Sequence, residues 1–238
     1  MSKMRKTAVV TGGSGGIGGA ICEALLEDGY EVAAVDVAGA ARESDGLYFY
    51  RCDVSSFSDT AKVCADVLER FGGVYALVNN AGIQTHCALV DMTEELWDRT
   101  LDVNLKGAFC MCRHLLPSML REGAGRIVNI ASMSARRGSN LHTHYCASKA
   151  GLLGFTRALS LEAACRGVTV NAICPGIVET DIVRETLAWK RETWLDEMHV
   201  KRLGKPEDIA SAVMFLMSEA SDWITGQAFD INGGIITP

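Results

Sequence analysis

Tyr145 and Lys149 are the ends of the run Tyr145-Cys146-Ala147-Ser148-Lys149. On a helix, that i, i+4 spacing puts a phenol and an ammonium on one face. A phenol with an ordinary pKa of about 10 is a poor base at neutral pH. A nearby ammonium favours the phenolate, and lowering a pKa by one takes about 1.4 kcal/mol of interaction. Such a pair could exchange a proton with a substrate oxygen. Taken alone, the spacing also fits a solvated helix face.

A second chemical feature lies near the start. Thr11-Gly12-Gly13-Ser14-Gly15-Gly16-Ile17-Gly18 follows a short β-branched apolar run and opens a helical pattern. Glycines there permit a tight turn, let the backbone approach a pyrophosphate and let helix and strand pack closely. The free N–H groups of the helix start attract phosphate. Gly12, Ser14, Gly15, Gly16, Ile17 and Gly18 are therefore read as a phosphate cradle. Asp36 ends the second apolar run, 18 residues after Gly18. A carboxylate there can accept both hydroxyls of an adenosine ribose and would repel a 2′-phosphate, which points to NAD rather than NADP. No Lys or Arg lies in the turn or in Val37–Ala41, and Arg42 is the nearest cation.

These groups need a scaffold, and the apolar pattern supplies one. Strand-like runs are expected at Thr7–Thr11, Glu31–Asp36, Leu47–Arg51, Val74–Asn79, Arg126–Ile130, Val168–Ile173 and Ala228–Ile231. Helical patterns fall at Ile17–Leu26, Thr60–Phe71, Leu96–Leu120 (in two pieces), Tyr145–Cys165 and Ile209–Met217. Alternating β and α units imply an α/β fold, a doubly wound parallel sheet with helices on both faces. With no repeat or linker, residues 1–238 are expected to form a single dinucleotide-binding and catalytic domain. Thr180–Gly204 breaks the rhythm with balanced charges, Trp189 and Trp194. It is expected to be a helical insertion that closes over substrate as a lid.

The composition excludes other classes. A net charge of −6 spread along the chain gives no electrostatic footprint for nucleic acid. The charged start Met1–Lys6 is followed by only Ala8–Val10 before the glycines, too short for a signal core. No run approaches the roughly 20 apolar residues of a membrane span. Nine dispersed cysteines without a C-x-x-C pair suit reduced thiols in a cytoplasm. The histidines match no metal-ligand spacing, so no metal is expected.

The order of motifs makes a resemblance specific. The glycine turn, Asn79-Asn80-Ala81-Gly82, Asn104, Ser132 placed 13 residues before Tyr145, Tyr145 with Lys149, and Pro175-Gly176 occur in sequence. Over essentially its whole length the chain resembles the short-chain dehydrogenases/reductases, with their single-domain Rossmann-type fold. The resemblance implies that Tyr145 is the general acid/base. It implies that Lys149 lowers the Tyr145 pKa and binds the nicotinamide ribose, and that Ser132 steadies the substrate oxygen. Asn104 would hold a water in a proton relay, Asp53 and Val54 would meet the adenine, and Asn80, Ala81 and Gly82 would line the cofactor. Pro175, Gly176, Val178 and Thr180 would hold the nicotinamide end, Tyr145 and Lys149 also touching the cofactor. Family members commonly form homotetramers through the two long helices.

The expected activity is NAD-linked interconversion of a secondary alcohol and a carbonyl, with a polyol or sugar as the small-molecule substrate. A 3-oxoacyl carrier-protein reductase-like enzyme is the alternative; those mostly use NADPH, which Asp36 disfavours. A catalytically silent dinucleotide-binding regulator is the alternative of another class. Gln84, His86, His142 and His144 either line the substrate pocket or sit in surface loops. Arg136 and Arg137 either face an anionic or polyhydroxylated substrate or belong to a solvated loop.

Overall fold

Strands fully sandwiched between helices should carry apolar side chains on both faces, and this sheet does. The computed structural model describes residues 6–38, 43–181 and 184–237, so Met1–Arg5 and Arg42 lie outside the described residues. Eight strands form one sheet: β1 (Thr7–Thr11), β2 (Glu31–Asp36), β3 (Glu43–Ser44), β4 (Leu47–Arg51), β5 (Ala76–Asn79), β6 (Gly125–Ile130), β7 (Val168–Pro175) and β8 (Ala228–Ile231). Their order is β3-β4-β2-β1-β5-β6-β7-β8. Every pairing is parallel except that of the short edge strand β3 with β4.

Strand residues alternate between two cores with period two. Val9, Ala33, Val35, Leu77, Ile127 and Val170 face one side. Ala8, Val10, Val32, Ala34, Val78 and Val128 face the other. The first side is covered by α2 (Phe57–Phe71), α4 (Gly107–Glu122) and α6 (Thr143–Ala163), through Val63, Met111 and Leu159 among others. The second is covered by α1 (Gly16–Glu27) and α8 (Pro206–Met217), through Ile21, Leu25 and Val213. This is the doubly wound arrangement that the alternation of elements implies.

Three local features add detail to the sequence-based expectation. The Leu96–Leu120 pattern is α3 (Glu94–Leu101) and α4 joined by a π-helical turn, Asp102–Lys106. Its Asn104 is buried, and the widened turn directs that amide toward Ile83. A short helix α5 (Ser134–Arg137) follows β6. The strand order reverses at β1, whose neighbours are β2 and β5. In an open α/β sheet that reversal opens a crevice beyond the carboxyl ends of the strands, where ligands bind.

The inserted region contains α7 (Arg184–Glu197). Its C-terminal part is fixed in place. Met198 and Leu203 pack with Met133 and Ile177, flanked by Trp194, Leu195, Ile235 and Ile236. Val178 bridges Gly204, and the Val200 N–H donates to Gly233 O at 3.0 Å.

Candidate active site

A groove of about 310 Å³ opens at the reversal point. Its floor is the glycine turn, represented by Gly12, Gly15, Gly16 and Ile17. Gly12 has φ +64, and a Cβ there would come within 2.9 Å of Asn80 Nδ2, so backbone geometry and space both demand glycine. A Cβ on Gly18 would lie 2.0 Å from Gly12 O, so α1 can pack under the turn only without a side chain. Nothing lies within 4 Å of a Cβ built on Gly15, which faces the open side. No side chain caps the first turn of α1, leaving its N–H groups free for an anion. Thr11 and Asn80 lock turn to wall: Asn80 Nδ2 donates to Thr11 O at 3.0 Å and Gly12 O at 3.2 Å, while Thr11 Oγ1 accepts from the Asn80 and Ala81 N–H groups.

The walls carry Asp36, Asp53, Val54, Asn80, Ala81, Gly82 and Thr180. Asp36 Oδ2 accepts from the Ser14 N–H and Oδ1 from the Ala38 N–H, both at 3.1 Å. Its carboxylate is thus held at the groove's rim by backbone donors. Asp53 accepts from Ser55 Oγ at 2.6 Å and from Arg99 Nη1 at 3.1 Å. Burial works against its charge, but Ser55 and Arg99 hold its carboxyl below the usual range. The groove also includes Val35, Val37, Cys52, Ile83, Arg99, Val103 and Asp181, which belong to no recognisable sequence motif. Arg99 belongs to α3 and meets Asp53 across 46 residues of chain, a pairing no local pattern announces.

Other expected cofactor residues lie off these walls. Ser14 serves through its N–H to Asp36, and Gly18 lies beneath the turn. Pro175 O accepts from the Met133 N–H, Gly176 backs closely on Asn232, and Val178 pairs with Gly204.

Beyond the groove, α6 brings Tyr145 and Lys149 beside Ser132 from the end of β6. Lys149 is 4% exposed. Its Nζ donates to Ile130 O at 2.7 Å and lies 5.9 Å from the centre of the Tyr145 ring. Ser132 hydrogen-bonds the Tyr145 side chain and accepts from the Ser134 N–H at 3.1 Å. Asn104 Oδ1 accepts from Ile83 N–H at 2.8 Å, and its Nδ2 donates to Ile83 O and Ser148 Oγ, each at 3.0 Å. A Cβ on Gly82 would lie 3.2 Å from Lys149 Nζ and 3.3 Å from Asn104 Oδ1. Glycine there lets the wall close down on α6.

Burial raises the Tyr145 phenol above its ordinary pKa, and the Ser132 hydrogen bond only partly opposes this. Burial also lowers Lys149, to about 8. A lysine whose folded pKa falls below its unfolded value costs stability below about pH 8. That cost is relieved as pH rises toward the unfolded value near 10.4, because the unfolded chain then binds more protons. Lys149→Met is therefore expected to abolish turnover while keeping or raising the Tm of the nucleotide-free protein at pH 7. Its Tm advantage over wild type should shrink between pH 8 and 10. Differential scanning calorimetry across that range checks both signs.

Arg136 and Arg137 are structural ties here. Arg136 Nε pairs with Asp230 at 2.9 Å and its Nη2 donates to Ala228 O at 2.8 Å. Arg137 pairs with Glu197 of α7 at 3.6 Å. His142 and His144 are buried, whereas His86 is exposed, its ring centre 4.2 Å from that of His142 and tilted to it by 59°.

Comparison with known proteins decides the family. A family model described as enoyl-(acyl carrier protein) reductase matches residues 12–236. Acetoacetyl-CoA reductase of Rhizobium meliloti is 43% identical over 237 residues, covering 97% of this chain and 98% of that one. The chain is a short-chain dehydrogenase/reductase. A second relative of this short-chain dehydrogenase/reductase is 3-oxoacyl-(acyl-carrier-protein) reductase of Staphylococcus epidermidis, 36% identical, covering 98% and 99% of the two chains. Among solved structures, ligand-free aldohexose dehydrogenase of Thermoplasma acidophilum superposes with a TM-score of 0.92 at 30% identity, covering 98% and 97%. Short-chain dehydrogenases/reductases use a nicotinamide dinucleotide. The uncapped helix start, the glycine-rich turn and the carboxylate on the rim fit one. Among the described residues no group of three His, Cys, Asp or Glu side chains could hold a metal, and no helix is long and apolar enough to cross a membrane.

Proposed function

We propose that this oxidoreductase is NAD(H)-linked and interconverts a secondary alcohol and its ketone on a polyol or sugar. The observation that carries the cofactor choice is Asp36, fixed on the groove by the Ser14 and Ala38 N–H groups. Two features favour a neutral hydroxylated substrate. Gln84 and His142 make a polar rim beside Tyr145. Four arginines nearby are already committed: Arg136, Arg137, Arg191 and Arg202 pair with Asp230, Glu197, Glu179 and Asp208. They offer little to the phosphates of a coenzyme A thioester or to an acidic carrier protein.

In the oxidative direction, Ser132 and Tyr145 hold the carbinol oxygen and Tyr145 takes its proton. Lys149, largely protonated at neutral pH, holds the nicotinamide ribose, and Asn104 keeps the wall at Ile83 in register with α6. The nicotinamide, when bound, supplies hydride acceptance and donation.

The second reading is a 3-oxoacyl thioester reductase, favoured by the relatives at 43% and 36% identity. A panel separates them: polyols, sugars and hydroxy acids with NAD+, and acetoacetyl-CoA with NADH and NADPH. NADH formation from a polyol or sugar is expected. Turnover confined to acetoacetyl-CoA would replace this reading with the second, and absence of all turnover would favour the silent regulator.

The same proposal includes a lid and an assembly. Residues 184–193 are taken as the moving part of the lid, because 198–204 are pinned by the Met198 cluster. Hydrogen exchange should show 198–204 protected throughout and 184–193 gaining protection only with cofactor and substrate. The homotetramer would form through α4 and α6, whose outer faces carry Phe109 (45% exposed) and Leu161 (83% exposed). Light scattering at micromolar concentration should show four copies.

A further inference from the structure

The polar rim has a built-in direction. His142 Nδ1 lies 2.8 Å from Asn140 O, a group that can only accept. The proton of the neutral ring is therefore on Nδ1, and Nε2 carries a lone pair. Gln84 Nε2 stands 3.0 Å from that lone pair and donates to it. The reverse amide orientation would set oxygen against a lone pair, or require an imidazolium. Burial opposes an imidazolium, as do His86, His144 and Lys190, the groups that face the ring from the Gln84 loop, α6 and α7. The amide is thus fixed with its nitrogen on His142.

The backbone carrying it is fixed too. The N–H and C=O of Ile83 are both bonded to Asn104. Thr85 Oγ1 is 2.8 Å from His144 Nε2. His142 sits edge-on to Tyr145, with ring centres 6.2 Å apart. What remains is Gln84 Oε1, an acceptor on a half-buried residue at the rim, with no partner among the described residues.

We propose that Gln84 is a specificity-determining residue whose Oε1 accepts a hydrogen bond from a hydroxyl next to the reacting carbinol, so that the site selects vicinal diols and α-hydroxy ketones. This rests on the polyol reading. His142 is the positioning residue that keeps the acceptor outward. A substrate with hydrogen or methyl in place of that hydroxyl leaves the oriented acceptor unpaired, the situation in which a polar site discriminates strongly.

The test compares butane-2,3-diol with butan-2-ol, which differ by one hydroxyl, using the full chain and NAD+. Wild type should favour the diol by about 10-fold or more in kcat/KM, the scale of one hydrogen bond. Gln84→Leu should bring the ratio near one. The ratio is internal to each variant, so a general loss of activity does not move it. For the positioning role, 15N NMR at pH 7, assigned with His142→Phe, should show His142 protonated on Nδ1 and bare on Nε2. Equal kcat/KM for the two alcohols, a Gln84→Leu ratio like that of wild type, or a protonated Nε2 would each overturn the Gln84 role alone. A wild type that reduces acetoacetyl-CoA but oxidises neither alcohol would overturn the polyol reading and this inference together.

Discussion

Tyr145→Phe should lower kcat at least about 100-fold, since positioned acid/base groups contribute 10²–10⁴. The substitution keeps the ring and removes one oxygen, so the packing beside His142 survives. It removes the group that Ser132 hydrogen-bonds and that exchanges the substrate proton. Burial raises that phenol, so alcohol oxidation by wild type should quicken as pH rises through neutrality. In Tyr145→Phe that dependence should vanish with the rate. NADH affinity, followed by fluorescence titration, should change little. Near-normal turnover would assign the proton transfer to another group.

The second large effect is on cofactor choice. Asp36 is anchored by two N–H groups and has little freedom to retreat from a 2′-phosphate. Unit charges about 4 Å apart repel by roughly 4 kcal/mol at an effective dielectric near 20. Solvent and rearrangement reduce this, and a preference for NAD+ over NADP+ of about 100-fold in kcat/KM, near 2.7 kcal/mol, is the expected remainder. Asp36→Ser should weaken NAD+ and ease NADP+, bringing the ratio down at least about tenfold. A wild type that prefers NADP+, or a ratio unmoved by the substitution, would show that Asp36 does not read the ribose.

What is legible in the sequence follows from how locally each feature is encoded. Alternating apolar strands and helical patterns announce the doubly wound sheet because every strand must bury both faces. The glycine turn, Asp36 and the Tyr145–Lys149 pair are short motifs whose chemistry fixes residue type and spacing. Side-chain pairings across the fold leave no such trace. Arg136 reads as a loop cation, yet it is tied to Asp230 and Ala228 on β8. Arg99 reads as one more helix charge, yet it clamps Asp53 in the groove. The lid's charge and tryptophans suggest mobility, but Trp194 packs beside the buried Met198 and the C-terminal Ile235 and Ile236. For the Tyr145 phenol, adjacency to Lys149 is visible in sequence, whereas the burial that acts on it comes only from the fold.

The most direct test follows the hydride itself. Butane-2,3-diol deuterated at both carbinol carbons is incubated with NAD+ and wild-type protein, and the nicotinamide product is read by mass spectrometry. An NAD-linked dehydrogenase of vicinal diols must deliver one deuterium to each reduced nicotinamide, with Tyr145→Phe slowing delivery at least about 100-fold. Reduced nicotinamide without deuterium, or no reduction of NAD+ by any polyol or sugar, would contradict the account.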